Sequence, residues 1–168
     1  MASAPEVFFW LPCPVVFITS VHGTQRDIMT ATAMFVSEKE PLVQISVARN
    51  HLTEELILAS GRFALVLAGS GQQALAIKVG STKGAGTDKF AAFSIALEPA
   101  APGQALVPAG ACAWMVCRVE HTMEITGYRL FIGRVVDHGR FDVDPLMWRN
   151  DRFFTLEGNP CQISPASP

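Results

Sequence analysis

The stretch Asp27-Ile28-Met29-Thr30-Ala31-Thr32-Ala33-Met34-Phe35-Val36-Ser37 decides the fold. It holds neither Gly nor Pro, and it reads as one strand. In extended backbone successive side chains point to opposite faces, so Thr30, Thr32 and Met34 share one face. Met29, Ala31 and Ala33 share the other. The segment from Glu38 to Pro41 breaks it. Upstream, residues 14–21 (PVVFITSV) are rich in β-branched residues and read as another strand. His22-Gly23 between the two reads as a turn, because Gly tolerates positive φ. Downstream, residues 42–48 (LVQISVA) are nearly continuous in apolar character, the pattern of a strand buried on both faces.

Thr53 is expected to cap a short helix, with Glu54 and Glu55 in the first turn, Leu56, Ile57 and Ala59 on its apolar side, and Gly61 as its stop. Residues 62–68 read as a fourth strand and 72–79 as a second short helix ended by Gly80. A Gly-rich segment with Gly80, Gly84 and Gly86 leads into Asp88-Lys89-Phe90. Pro99, Pro102 and Pro108 make 98–110 a surface loop. Two long strands follow, 111–123 and 128–138, joined near Thr126-Gly127, and 152–156 reads as a last short strand. Strands dominate and do not alternate strictly with helices. The expected fold is therefore mainly β: about six antiparallel strands closed into a barrel, with two or three short helices. Residues 1–157 form the domain, and the Pro- and Ser-rich residues 158–168 form a C-terminal tail.

A chain of 168 residues fits one domain. With 49% hydrophobic and 17% charged residues, it can fill a sizeable core but has little charge for its surface. That pattern points to an apolar face covered in an oligomer. A net charge of -2 without any Lys/Arg run argues against nucleic-acid and membrane binding. No apolar run is long enough to span a bilayer, and the N-terminus lacks the basic start of a signal peptide, so a cytoplasmic location is expected. Cys13, Cys112, Cys117 and Cys161 form no C-x-x-C pair, and His22, His51, His121 and His138 are scattered, so no metal site is expected.

Three segments can carry chemistry. Met29-Thr30-Ala31-Thr32 combines small and hydroxylated residues, which lets a flat ligand approach the backbone; an ordinary solvent-facing strand gives the same pattern. In Ser46 to Thr53 (SVARNHLT) a strand runs into a helix start. Arg49, His51 and Thr53 add donors there, which suits a phosphate as well as it suits plain capping. In Gly80 to Phe90 (GSTKGAGTDKF) glycines let N–H groups wrap an anion, with Lys83 or Lys89 to neutralise it; a flexible loop reads the same way. No nucleophile–base set and no paired carboxylates are legible, so redox or group-transfer chemistry would come from a cofactor.

Taken in order, these segments resemble the flavin reductase-like family of FMN-binding split barrels over roughly residues 8–157. The landmarks are Pro14-Val15-Val16-Phe17-Ile18-Thr19, Asp27-Ile28-Met29-Thr30-Ala31, and Ser37 with Pro41-Leu42-Val43. Thr53-Glu54-Glu55-Leu56-Ile57, Gly61-Arg62-Phe63, Asp88-Lys89-Phe90 and Leu130-Phe131-Ile132-Gly133-Arg134-Val135-Val136 follow.

The resemblance implies a six-stranded Greek-key split barrel and a homodimer. It implies FMN, with FAD as the alternative, and NAD(P)H as electron donor. Met29, Thr30, Ala31 and Thr32 would line the ring and ribityl chain. Ser46, Val47 and Ala48 would offer backbone groups. Arg49, His51, Thr53, Lys83, Asp88 and Lys89 would surround the phosphate end. The implied activity passes electrons from the nicotinamide through the flavin to a small acceptor or a partner monooxygenase.

Four positions depart from the family pattern. Asp27 stands for the usual Asn, His51 for Arg, Lys83 for Ser, and Tyr128 for a His associated with the nicotinamide. No catalytic residue is assigned, and Tyr128 is a candidate nicotinamide contact. The Tyr128 change motivates an alternative, a flavoredoxin-like electron carrier without enzymatic turnover. Asp27 and His51 motivate a third reading, a barrel that has lost its flavin.

Overall fold

The computed structural model describes residues 10–37, 39–99 and 105–156. The tail at 158–168, Cys161 and Pro102 lie outside the described residues. The chain opens with β1 (Cys13–Pro14), β2 (Val16–His22), β3 (Gln25–Ala31), β4 (Ala33–Ser37) and β5 (Leu42–Ala48). Helix α1 (Leu52–Ser60), β6 (Arg62–Leu67), a single 3-10 turn (Ser70–Gln72), α2 (Gln73–Gly80) and α3 (Lys89–Ala92) follow. The chain then forms β7 (Ala113–Ile125), β8 (Tyr128–Arg140), β9 (Leu146–Arg149) and β10 (Arg152–Thr155).

The main sheet has the order β3-β2-β6-β7-β8-β5-β4, all antiparallel. Its two ends, β3 and β4, are halves of one strand separated only by Thr32. The first half pairs with β2, from Val16 opposite Ala31, and the second with β5, from Ala33 opposite Ile45. One strand with two partners closes the sheet into a six-stranded split barrel and leaves free edges only where β3 and β5 part. The two hairpins turn where the sequence predicts. Gly23 has φ +59, and Thr126 and Gly127 have φ +40 and +83, the positive values that tight two-residue hairpin turns need.

Alternation along the strands fills two cores. Val16, Ile18, Ile45, Val47, Ile57, Phe63, Leu65 and Phe131 fill the barrel interior, with Met29, Ala31 and Ala33 packed on them. Phe17, Ile28, Val66, Ala76, Val79, Phe90 and Trp114 form a second cluster. In that cluster α2 and α3 lie against the barrel. Gly133 is required inside: a Cβ there would stand 2.7 Å from Phe63 Cζ.

Several expectations change. The strand expected at 14–21 is split at Val15, because Cys13-Pro14 pairs with β9 in a separate three-stranded sheet with β10. The strand expected at 42–48 is buried on one face: Val43, Ile45 and Val47 are buried while Ser46 is exposed. The expected cap Thr53 lies inside α1, whose cap is His51. Gly61, with φ +66, ends the helix as expected. Asp88 caps α3, accepting from the N–H groups of Phe90 and Ala91, and neither this helix nor β9 was expected.

Candidate functional site

The closing strand leaves a gap. β3 is hydrogen-bonded along one edge only, to β2. The ladder between β4 and β5 begins at Ile45, so Ser46, Val47 and Ala48 of β5 pair with β8 and keep their other edge open. The two open edges diverge from Thr32, which belongs to neither ladder. Such edges hold peptide N–H and C=O groups that need partners, and a planar heteroaromatic ligand can supply them.

The side chains sort by face. Met29 and Ala31 point to the barrel interior, and Val47 is buried there. Thr30 Oγ1 donates to the Ala76 carbonyl of α2 at 2.7 Å, so its hydroxyl is engaged in packing. Thr32 and Ser46 are exposed, and with Met34, Leu130 and Trp148 they line a cavity of about 270 Å³. That cavity sets these hydroxyls and the Gln44 amide in a mostly apolar wall, which suits a ring with polar edges.

At the other end the two anion-prone segments meet. Leu52, at the start of α1, and Gly84, Gly86 and Thr87 of the Gly-rich loop line a cleft of about 230 Å³ with the ion-paired Arg26 and Asp88. The acidic Glu54 at the third position of α1 accepts from the Asn50 N–H at 2.7 Å. In the usual capping box that acceptor serves the cap residue itself. The shift leaves the N–H groups of His51, Leu52 and Thr53 without an acceptor among the described residues. These are the donors, at the positive end of the helix, that a phosphate takes.

Beneath this cleft lies a charged cluster. Asp27 is 1% exposed. Thr53 Oγ1 donates to its Oδ2 at 2.6 Å, and Lys89 Nζ stands 3.0 Å from its Oδ1. Lys89 Nζ also donates to the Ile28 carbonyl at 2.6 Å. The polar atoms of Thr53 and Lys89, both expected near the phosphate, are therefore directed to Asp27. Asp88 is directed to Arg26, which binds it at 2.8 and 3.2 Å and lies over the Phe90 ring at 5.0 Å. The hydrogen-bonded Arg26 guanidinium holds the Asp88 carboxyl below its ordinary value. His51 and Lys83 are exposed beside the cleft, and Arg49, half exposed, pairs with Glu124 at 3.1 Å.

The hairpin between β7 and β8 grips the same loop. The Arg49 N–H donates to Gly127 O at 2.9 Å, and Arg129 Nε donates to Glu54 Oε1 at 2.7 Å. Arg129 also pairs with Glu124. Tyr128, exposed, pairs with Ala48 at the end of β5 whose other edge is open. Arg26, Glu54 and Arg129 were missed as site residues in the sequence. Glu54 there reads as a charge suited to the helix dipole, and nothing local ties it to Arg129.

Burial pushes the Cys117 thiol up to about 12, which leaves it an inert core group. Among the described residues no cluster of His, Cys, Asp or Glu could hold a metal ion. Among the described residues no helix is long and apolar enough to cross a membrane.

The model of the flavin reductase like domain matches residues 9–157. The Escherichia coli protein YddH is 36% identical over 110 residues, which cover 63% of this chain and 58% of YddH. The chain thus spans somewhat over half the length of that curated relative. Among solved structures, the Streptomyces globisporus NADH:FAD oxidoreductase SgcE6 superposes with a TM-score of 0.81 at 24% identity, covering 92% of each chain. The flavoredoxin of Methanosarcina acetivorans superposes with a TM-score of 0.78 at 19% identity, covering 93% of this chain and 90% of its own.

Proposed function

The chain belongs to the flavin reductase-like family, and on that premise we propose that it is a flavin-dependent oxidoreductase that binds FMN and takes electrons from NAD(P)H. The observation that carries this reading is the gap between β3 and β5, with its two open strand edges. The residues present fit a flavin. The Thr32 and Ser46 hydroxyls and the Ser46–Ala48 edge bind and orient the ring. The first-turn N–H groups of α1, with His51, Lys83 and Arg26 nearby, receive the phosphate. Bound flavin supplies the redox chemistry, and the chain supplies placement and electrostatics. Tyr128 contacts the nicotinamide from the hairpin. The electrons leave to a small-molecule acceptor or a partner monooxygenase. A second copy of the chain covers the exposed Met34, Phe35, Val36 and Val136.

The test is an anaerobic absorption titration of the purified protein with FMN, then with NADH and NADPH. Saturable FMN binding followed by bleaching of the flavin band by one nucleotide supports the reading. A protein that takes up no flavin overturns it. A second reading, a flavoredoxin-like carrier, draws on Tyr128, which stands where the family pattern has a His associated with the nicotinamide. Flavin that binds tightly but is bleached only by a reduced protein carrier, not by NADH or NADPH, would select it. Light scattering of the native protein tests the dimer.

A further inference from the structure

The buried carboxylate of Asp27 lies behind the walls of the cleft read above as the phosphate site. Gly84 lines the cleft, and a Cβ on Gly84 would stand 2.6 Å from Asp27 Oδ2. Leu52 lines the opposite side, and its neighbour Thr53 donates to the same oxygen at 2.6 Å. Asp27 thus touches both walls, one from α1 and one from the Gly-rich loop. Its charge has the wrong sign for an anion site. A carboxylate under a phosphate dianion repels it strongly, because little water lies between to screen them. Lys89 answers that charge. Its side chain is 3% exposed, its ammonium stands 3.0 Å from Asp27 Oδ1, and a further donor goes to the Ile28 carbonyl. Asp27 Oδ1 has no in-line hydrogen bond among the described residues, so the pair acts on it chiefly through charge.

We propose that the buried Asp27–Lys89 pair sets the selectivity of this cleft for a phosphate monoester. Asp27 holds the two walls in register, and Lys89 masks its charge rather than touching the phosphate. Both are positioning residues. The inference rests on the reading that the flavin's phosphate lies in this cleft.

The experiment compares dissociation constants for FMN and riboflavin, by quenching of flavin fluorescence, in the full-length wild type, Lys89→Met, Asp27→Asn and the double variant. Riboflavin shares the ring and lacks the phosphate, so the ratio of the two constants isolates the cleft. In Lys89→Met the bare carboxylate should weaken FMN about tenfold while riboflavin stays within about threefold. In Asp27→Asn the unmasked ammonium should shift the ratio about tenfold toward FMN. The double variant, neutral in both places, should return to the wild-type ratio. Asp27→Asn keeps an accepting oxygen for Thr53 or Lys89 and carries the test even where Lys89→Met does not fold, and the double variant, which replaces both members of the pair, controls for packing. An unchanged ratio in every variant, or riboflavin affinity falling in step with FMN, overturns the inference. A wild type that does not prefer FMN over riboflavin overturns the placement of the phosphate itself, and the inference with it.

Discussion

The two ends of the gap in the barrel are built in opposite ways. At the Thr32 end the lining is mostly apolar, carries the Thr32 and Ser46 hydroxyls and the Gln44 amide, and is free of charge. At the Asp27 end a buried carboxylate, an ammonium and a hydroxyl satisfy one another below the surface. The first end is ready to exchange water for a ring at little structural cost. The second is committed to its own neighbours and offers a ligand mainly backbone donors. Binding groups and structure-bearing groups are therefore separated along one gap, so substitutions at the two ends should fail in different ways.

The largest effect should come from the buried pair. Lys89→Met leaves a carboxylate uncompensated and should cost about 3–5 kcal/mol in chemical denaturation, whereas the double variant with Asp27→Asn should recover most of it. Equal losses in the single and double variants would show that packing, not charge, governs this end. Next, Gly84→Ala forces a methyl to 2.6 Å from Asp27 Oδ2 and should cost about 1–3 kcal/mol, with FMN affinity falling and riboflavin affinity kept. At the other end, Ser46→Ala and Thr32→Val should change stability by less than about 0.5 kcal/mol, since both side chains are exposed. Both should weaken riboflavin and FMN alike, by about threefold to tenfold, as loss of one hydrogen bond does.

The smallest effect concerns pH. Asp88 has its carboxyl lowered from 3.8 by Arg26, so the folded state binds that proton less readily than the unfolded one. The stabilisation is present above the ordinary carboxylate value and is lost as pH falls through the lowered one. Arg26→Met should remove that part of the acid dependence, read as a flatter unfolding midpoint against pH below 3.8. An identical profile in the variant would detach Arg26 from the cleft's acid behaviour.

Much of the barrel was legible in the sequence because alternation survives wherever one face is buried. Residues 27–37 show this: the two faces read from the sequence match the interior packing of Met29, Ala31 and Ala33. The same rule failed at 42–48, where Gln44 and Ser46 interrupt the apolar run. Those two residues mark the outer face, and Ser46 is exposed. β9 escaped because Leu-Met-Trp-Arg is too short to show a period, and it exists by pairing with Cys13-Pro14 and β10. The site segments were legible as neighbours of glycine and of a helix start. What joins them was not: Asp27 with Lys89, and Glu54 with Arg129, are partners far apart in the chain. Thr53 reads as a cap from its type alone, and only its burial against Asp27 shows that the hydroxyl is used elsewhere.

The single residue between β3 and β4 also acts as a phase marker. Side chains before and after Thr32 keep one alternation, so Ala31 and Ala33 both face inward although they pair with different strands. An insertion of one residue here would invert the side chains of β4 ahead of its bulge and turn Met34 inward, against an interior already filled. An insertion of two would keep the phase and lengthen the strand by a pleat. The spacing from Asp27 to Met34, ahead of the bulge, is in this sense a ruler. It admits even changes and rejects odd ones, and insertion variants scored for folding would read its graduations directly.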